Sequence, residues 1–219
     1  MLRYIVRALQ SVVDAGDLWA HAIAFGVQLG FFFLLRNGEY CAQDATNYYS
    51  YIIRRHHITF YRNGLVCEWN QKPDEVAVWI PGSKTDQQHE GSYRSHYCSG
   101  SDLCIVTALV NWFSVTVDRI SPSSPLMTVP FAENRTAILT RSAIADALKA
   151  AAVAGGSSPA DVSTHSLRSG AATAMLHFGA TGDSIAIAGR WRSGCFREFT
   201  RWSRLLMQGV SHDMASVIT

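Results

Sequence analysis

Apolar residues in the first part of the chain recur at three- and four-residue spacings, the pattern of an α-helix packed against a core. Two helices are predicted, over Ala8–Ala15 and Leu18–Leu35, with Asp17 as the N-cap of the second. The second stretch is long enough to raise the possibility of a membrane span, but His21 and Gln28 interrupt it. We therefore expect a buried helix of a globular core.

The middle of the chain changes to short β-branched and aromatic runs. Turn signals separate these runs at Arg-Asn-Gly, Lys-Pro-Asp and Pro-Gly-Ser. The predicted strands are Ile58–Phe60, Leu65–Trp69 and Val76–Ile80. This pattern predicts a small antiparallel sheet.

Helical spacing returns in the second half of the chain. Asp102 is the predicted N-cap of the first of these helices, and Thr140 caps an alanine-rich helix that ends at Gly155-Gly156. The first helix is predicted over Asp102–Val117, and three further helices are predicted over Ser166–Phe178, Asp183–Ala188 and Gly194–Met207. We expect an α+β, mainly α fold, with helices around a small antiparallel sheet.

Composition and charge narrow the classes of protein. The 219 residues are 48% hydrophobic with a net charge of +2, a combination that excludes dominant disorder. This net charge is too small to steer a polyanion over the whole surface. The cations are nevertheless 16 Arg against 3 Lys, and between residues 164 and 206 six arginines face two acids. The planar guanidinium pairs bidentately with phosphates and carboxylates, so this local excess favours an anionic ligand.

The five cysteines argue for a reducing compartment. They are odd in number and contain no C-x-x-C pair, which opposes both a disulfide scaffold and a zinc ribbon. Cys98 and Cys104 lie near His96, but their spacing does not match a usual zinc site. We expect no metal.

The segment Thr164-His165-Ser166-Leu167-Arg168 places an imidazole and a guanidinium three residues apart at the start of a predicted helix. Side chains at this spacing share one face, and the free amides at a helix start add positive potential, so both can converge on one anion. Thr164 or Ser163 is the expected cap. Three further segments accompany this one: LLRNGE at 34–39, GSKTDQ at 82–87 and AGRWRS at 188–193.

Taken in order, the four segments resemble the catalytic domain of the tyrosine recombinase (phage integrase) superfamily. The likeness runs from about Leu18 to about Trp202. The motif sequences are most similar to those of recombinases of eukaryotic mobile elements such as cryptons and DIRS-type elements. It implies DNA breaking and rejoining, in recombination or integration of a mobile element, through a 3′-phosphotyrosyl intermediate and without a cofactor. It also implies double-stranded DNA as the partner, self-association on DNA and an intracellular location that is nuclear in a eukaryote. A membrane or small-molecule partner is not implied.

The same resemblance assigns individual residues. Arg36 matches the first catalytic arginine and Glu39 its usual acidic neighbour, while Lys84 matches the hairpin lysine. His165 matches the histidine before the second arginine, which is Arg168. The arginines and the imidazole would stabilise the phosphorane, and the lysine would protonate the leaving 5′-oxygen.

Two positions depart from the family pattern. The His/Trp position normally follows the glycine directly, where Arg190 stands; we expect Trp191, one residue later, to fill the role, with Arg190 as the competing assignment. The nucleophile is expected ten residues after Gly189, and this residue is Phe199. Every tyrosine lies in the N-terminal half: Tyr4, Tyr40, Tyr48, Tyr49, Tyr51, Tyr61, Tyr93 and Tyr97.

A phenyl ring has no oxygen to attack phosphorus, so we expect the chain to be inactive in cleavage. Either Phe199 replaces a native tyrosine to trap a DNA complex, or the chain is a naturally degenerate, non-catalytic DNA-binding protein with a recombinase fold. A helical scaffold without a nucleic-acid partner is a third reading. Phe199 also fits an apolar helix stripe, and Arg197, Arg201 and Arg204 form either a solvated face or a phosphate track.

The domain organisation follows from the same likeness. Tyrosine recombinases usually carry a separate N-terminal DNA-clamping domain, whereas this chain starts near the expected catalytic domain. We therefore expect a single catalytic domain over residues 1–219, without the clamping domain.

Overall fold

The apolar run after Asp17 forms helix α1 (Leu18–Phe32) in a computed structural model that describes residues 16–84, 86, 90–132, 135–191 and 194–200. The Asp17 carboxylate accepts hydrogen bonds from the backbone N–H groups of Trp19 (2.8 Å) and Ala20 (3.1 Å), so the predicted N-cap is confirmed. The helix is buried over most of its length, as expected. Within this part of the chain, no helix is long and apolar enough to cross a membrane. The predicted helix over Ala8–Ala15 lies outside the described residues.

Helix α1 ends earlier than its apolar pattern suggests. Leu34 adopts a φ of 48°, and the N–H of Leu35 returns to the carbonyl of Gly30 at 3.1 Å. This turn satisfies the last helical carbonyls and redirects the chain into a short helix, α2 (Asn37–Tyr40). The predicted end at Leu35 is therefore wrong, because the apolar residues of the turn are buried without being helical.

A four-stranded antiparallel sheet follows, with the order β2-β1-β3-β4. Its strands are β1 (Ile58–Arg62), β2 (Leu65–Cys67), β3 (Glu75–Ile80) and β4 (Ser92–Tyr97). The three predicted strands are confirmed, although β2 stops before Trp69. Asn63 and Gly64 both have positive φ, 52° and 76°, as the tight turn between β1 and β2 requires. Strand β4 was missed, because this edge strand reads SYRSHY and carries no apolar alternation.

The remaining elements are helical apart from a two-stranded sheet that sequence patterning did not predict. They are α3 (Ile105–Thr116), β5 (Thr128–Pro130), β6 (Thr136–Ile138), α4 (Arg141–Ala154), α5 (His165–His177), α6 (Gly182–Gly189) and α7 (Phe196–Phe199). Asp102 is not the cap of α3, because the helix starts three residues later with Cys104 as its N-cap. The predicted cap Thr140 is confirmed, since its hydroxyl accepts the N–H of Ala143 at 3.3 Å.

The main core lies between α1, α3, α4, α5 and the inner face of the sheet. Phe25 stacks on Trp112 with ring centroids 5.5 Å apart, and the indole N–H of Trp112 donates to the carbonyl of Leu126 at 2.9 Å. A second, smaller apolar cluster contains Leu34, Ala172 and Ile185. This second cluster joins the turn after α1 to α5 and α6, and it thereby brings distant arginines together. The α+β, mainly α fold predicted from the sequence is confirmed.

Candidate functional site

The first site residue, Arg36, is positioned by the turn after α1. It is the N-cap of α2, and its backbone N–H donates to Glu39 Oε2 at 2.8 Å. The chain leaves the turn in an extended conformation at Arg36, with φ −78° and ψ 145°, so α2 starts afresh. This hydrogen bond, made within one turn of chain, fixes Glu39 beside Arg36 before any distant residue is involved.

Glu39 is fully buried and connects two arginines. Its carboxylate accepts a hydrogen bond from Arg36 Nη1 at 3.2 Å and from Arg190 Nη2 at 2.5 Å. The Arg190 side chain is 12% exposed and the Arg36 side chain 24% exposed. A buried carboxylate needs such partners, because an unpaired charge in the interior is costly.

Arg168 lies in the first turn of α5 and is almost fully buried. Its guanidinium donates to the carbonyl of Leu34 at 2.5 Å and to the carbonyl of Gly189. Burial, followed by the like charges of Arg36 and Arg190, lowers the pKa of Arg168 to about 9. The group therefore stays protonated at neutral pH and clamps the turn after α1 to the end of α6.

Arg190 and Trp191 leave the end of α6 in different directions. Arg190 is the C-cap with a φ of 57°, and its Nη1 donates to the carbonyl of Phe33 at 3.3 Å. Trp191 instead lies over Arg168, whose Cζ is 4.2 Å from the ring centroid. A Cβ on Gly189 would overlap the Trp191 ring, so this position requires glycine.

The positive charge of this cluster exceeds its negative charge. Three guanidinium groups, those of Arg36, Arg168 and Arg190, lie near one carboxylate, that of Glu39, which accepts hydrogen bonds from Arg36 and Arg190. Burial, together with the charges of Arg36 and Arg94, lowers the pKa of Arg190 despite the Glu39 carboxylate. The Nε of Arg190 is buried and has no hydrogen-bond partner among the described residues. An excess of guanidinium groups that opens to the surface through Arg36 is suited to an oxyanion such as phosphate.

His165, the expected partner of Arg168, lies at the surface. His165 is exposed at the start of α5, whereas Arg168, three residues on, points into the interior. Thr164 is the N-cap, but its side chain does not cap the helix. Its hydroxyl instead accepts a hydrogen bond from Asn37 Nδ2 at 3.2 Å. This bond places α2, and with it Arg36, beside the start of α5.

Lys84 is exposed in the connection between β3 and β4. That connection borders a cavity of about 610 Å³, to which Ser83 and Asp86 contribute from one side and Arg190 and Trp191 from the other. Arg94 Nη2, on β4, donates to the carbonyl of Ile187 at 2.5 Å and keeps the sheet edge against α6. The segment that carries Lys84 therefore faces the same cavity as the end of α6.

The predicted nucleophile position lies at the end of the described chain. The backbone places Phe199 as the last residue of α7. Arg197, in the same helix, is exposed. Arg201 and Arg204 lie outside the described residues, as does the rest of the predicted helix to Met207.

An aromatic pair beside Arg36 was not identified from the sequence. Tyr49 and Tyr51 stack with ring centroids 4.9 Å apart and an interplanar angle of 7°. A Cβ on Gly38 would come within 2.7 Å of the Tyr49 ring, so the pair packs directly on α2. Burial, then Tyr49 and Glu39, raise the pKa of Tyr51 even though Arg36 opposes the shift. The available signal was the two-residue spacing of tyrosines in NYYSY at 47–51.

Metal ligands do not gather at this site or elsewhere in the described ranges. No group of three or more His, Cys, Asp or Glu residues there is arranged to hold a metal ion.

No protein-family model and no curated protein matches the chain. Its fold is similar to the crystal structure of XerA recombinase, with a TM-score of 0.61 at 15% identity over 97% of this chain and 62% of XerA. It is also similar to XerH site-specific recombinase bound to its difH substrate in a pre-cleavage complex, with a TM-score of 0.61 at 11% identity. That match covers 96% of this chain and 51% of XerH. The chain thus shares the fold of the matched parts of both recombinases and spans less than two thirds of the length of either.

Proposed function

We propose that this chain binds double-stranded DNA as a tyrosine recombinase catalytic domain whose strand-cleavage chemistry is disabled at Phe199. The observation that carries the proposal is the arginine cluster, in which Arg36 and Arg190 bond to the single carboxylate of Glu39 and Arg168 lies nearby. The cluster lies in a fold shared with XerA and with XerH, and XerH was crystallised on its DNA substrate. DNA supplies the phosphate that such a cluster attracts.

Arg36 and Arg168 would have separate tasks. Arg36 is the most exposed of the three and would contact the phosphate directly. Arg168 is already bonded to two backbone carbonyls, so its task would be to hold the cluster and contribute positive potential. His165 and Lys84 would approach the phosphate from the surface, the lysine as the acid for the leaving oxygen.

Phe199 would leave such a site able to bind a phosphodiester but not to attack it. Cleavage through a 3′-phosphotyrosyl bond requires a phenol oxygen, which a phenyl ring lacks. Identical protomers would not rescue one another, because each copy carries Phe199. A naturally degenerate protein retained for DNA binding is the second candidate. The substitution Phe199→Tyr distinguishes the two candidates.

Binding is tested by fluorescence anisotropy with a labelled random-sequence duplex over a range of salt concentrations. Arg36→Gln is expected to weaken binding and to flatten the salt dependence by about one counterion. The matched control is Arg62→Gln, which removes an exposed arginine on the β1–β2 hairpin. A chain without salt-dependent DNA affinity would contradict the proposal and support the scaffold reading.

Disabled cleavage is tested by restoring the phenol with Phe199→Tyr. We expect the restored chain to form a covalent adduct on nicked random-sequence duplexes that resists denaturing gel electrophoresis, and the chain with Phe199 to form none. Adding Arg36→Gln to the restored chain should abolish the adduct. Binding without any adduct favours the degenerate protein, and an adduct formed by the chain with Phe199 would contradict the inactivity.

We further propose that the natural setting is a eukaryotic mobile element of the crypton or DIRS type. The motifs GSKTDQ at 82–87 and GRW at 189–191 support this assignment. Self-association on DNA and a nuclear location follow from integration as a biological role. Light scattering with and without duplex DNA tests the first, and localisation of a fluorescent fusion tests the second.

A further inference from the structure

Two cysteines outside the arginine cluster form a close pair. Cys98 follows β4, Cys104 is the N-cap of α3, and their Sγ atoms lie 3.6 Å apart. Cys98 is exposed and Cys104 is buried. The five residues between them make a tight return of the chain, with Gly100 at a φ of 65°.

Backbone hydrogen bonds anchor the main chain at both cysteines. The N–H of Cys98 donates to the carbonyl of Asp74 at 2.7 Å, which anchors it to the sheet. Cys104 is fixed by the start of α3, where its carbonyl accepts the N–H of Ala108 at 2.9 Å. The pair is therefore a feature of two regular elements that meet, and one sulfur at the surface is free to rotate toward the other.

Cys104 has the character of a reactive thiol. Burial raises its pKa, but hydrogen bonds with the side chain and backbone of Thr107, the backbone of Ser99 and the side chain of Cys98 outweigh burial and lower the pKa to about 6. Cys104 and Thr107 also line a cavity of about 380 Å³, together with His21. A small oxidant that enters this cavity would meet Cys104, and the lowered pKa favours the thiolate form.

Two other cysteines lack these properties. Cys41 is fully buried, and burial raises its pKa. Cys67 is half-buried, and burial followed by the charge of Asp74 raises its pKa. Oxidation of the 98/104 pair is therefore expected to precede that of Cys41 and Cys67.

We propose that Cys98 and Cys104 are a reversible oxidation site that closes to a disulfide when the protein meets a peroxide. The Cys104 thiolate attacks one peroxide oxygen, the O–O bond breaks, and the second oxygen leaves as water after taking a proton. Cys104 becomes a sulfenic acid. Cys98 then loses its proton and attacks the Cys104 sulfur, and the S–O bond breaks to release a second water. The two thiols lose two electrons, which reduce the peroxide, and a dithiol reductant reverses the bond.

The geometry requires only a short movement. A disulfide brings the sulfurs to about 2 Å, so one side chain has to shift by less than the width of a methyl group. The exposed Cys98 side chain supplies that shift, since its neighbours Ser99 and Gly100 are also exposed. The proposed oxidation does not depend on whether the chain binds DNA.

Peptide mass spectrometry after peroxide treatment of the full chain tests the proposal. Trypsin leaves both cysteines in one peptide, residues 95–119. Hydrogen peroxide is expected to remove two hydrogens from that peptide and to block both of its alkylation sites, and dithiothreitol should restore them. Cys67→Ser, the control, should behave like the unmodified chain.

Single variants separate the two sulfurs. Cys98→Ser is expected to stop at a Cys104 sulfenic acid that dimedone traps, while Cys104→Ser should lose peroxide sensitivity in this peptide. Because Cys98 is exposed, the first variant tests the order of steps even where the second fails to fold. The proposal is overturned when residues 95–119 keep both alkylation sites at peroxide concentrations that oxidise Cys67 or Cys195.

Discussion

Glu39 accepts a hydrogen bond from Arg190 at 2.5 Å, across 151 residues of sequence, and thereby joins the start of α2 to the end of α6. The same carboxylate is bound to Arg36 within its own turn. One buried acid therefore positions two members of the arginine cluster, and the organisation of the site depends on it.

Replacing this acid should be costly. Glu39→Gln keeps the shape but leaves the guanidinium groups without their shared anion, so we expect the free energy of unfolding to fall by about 3 kcal/mol. Urea unfolding followed by circular dichroism measures the loss. Glu68→Gln, on an exposed loop, is the control and should change little. A Glu39 loss as small as that of the control would mean that the pair does not organise the site.

Gly189 is expected to tolerate no side chain. An alanine Cβ would overlap the Trp191 ring and push it from its position over Arg168. Overpacking of this kind costs about 1–3 kcal/mol, so Gly189→Ala should lower the thermal midpoint clearly. Gly194→Ala is the matched control, because nothing lies within 4 Å of its Cβ position. Equal midpoints for the two variants would contradict the packing of Trp191.

The bond between Asn37 and Thr164 should be measurable as a coupling. Asn37 also caps the N–H of Gly38 at 2.7 Å, so a single Asn37→Ala variant loses more than one interaction. A double-mutant cycle with Thr164→Val isolates the pair, for which we expect about 1 kcal/mol of coupling. Additive effects of the two changes would show that α2 and α5 are aligned by other contacts.

His57 should make stability depend on pH. Its Nδ1 accepts the backbone N–H of Arg54 at 3.0 Å, and burial, followed by the charges of His56 and Arg54, lowers its pKa to about 4. The unfolded chain binds this proton near pH 6.5, so the contribution of His57 is complete above that pH and declines toward pH 4. His57→Asn keeps an acceptor without titrating there.

Urea unfolding over that pH range provides the measurement. The midpoint of the unmodified chain should fall more steeply with decreasing pH than that of His57→Asn, since carboxylates titrate equally in both. Identical slopes would show that the imidazole is free to take up its proton in the folded state.

Local patterns in the sequence were sufficient for much of the fold. Asp17 and Thr140 cap the helices that the apolar spacing indicates, because an N-cap needs only its own side chain and the next turn. Asn63-Gly64 likewise determines its hairpin turn. Strand β4 escaped because its pairing with β3, and not its own pattern, makes it a strand. Asp102 failed as a cap because the return that brings Cys104 to Cys98 delays α3.

The residues of the candidate site were visible in the sequence, but their contacts were not. The sequence by itself named Arg36, Glu39 and Arg168 and left Arg190 and Trp191 as rivals for one position. The tertiary structure separated those two. Arg190 has a left-handed backbone conformation, and a positive φ at a helix C-cap changes the direction of the chain within a single residue. The Arg190 side chain therefore reaches Glu39, whereas Trp191 lies over Arg168. Such a division depends on elements more than a hundred residues apart, and no local pattern encodes it.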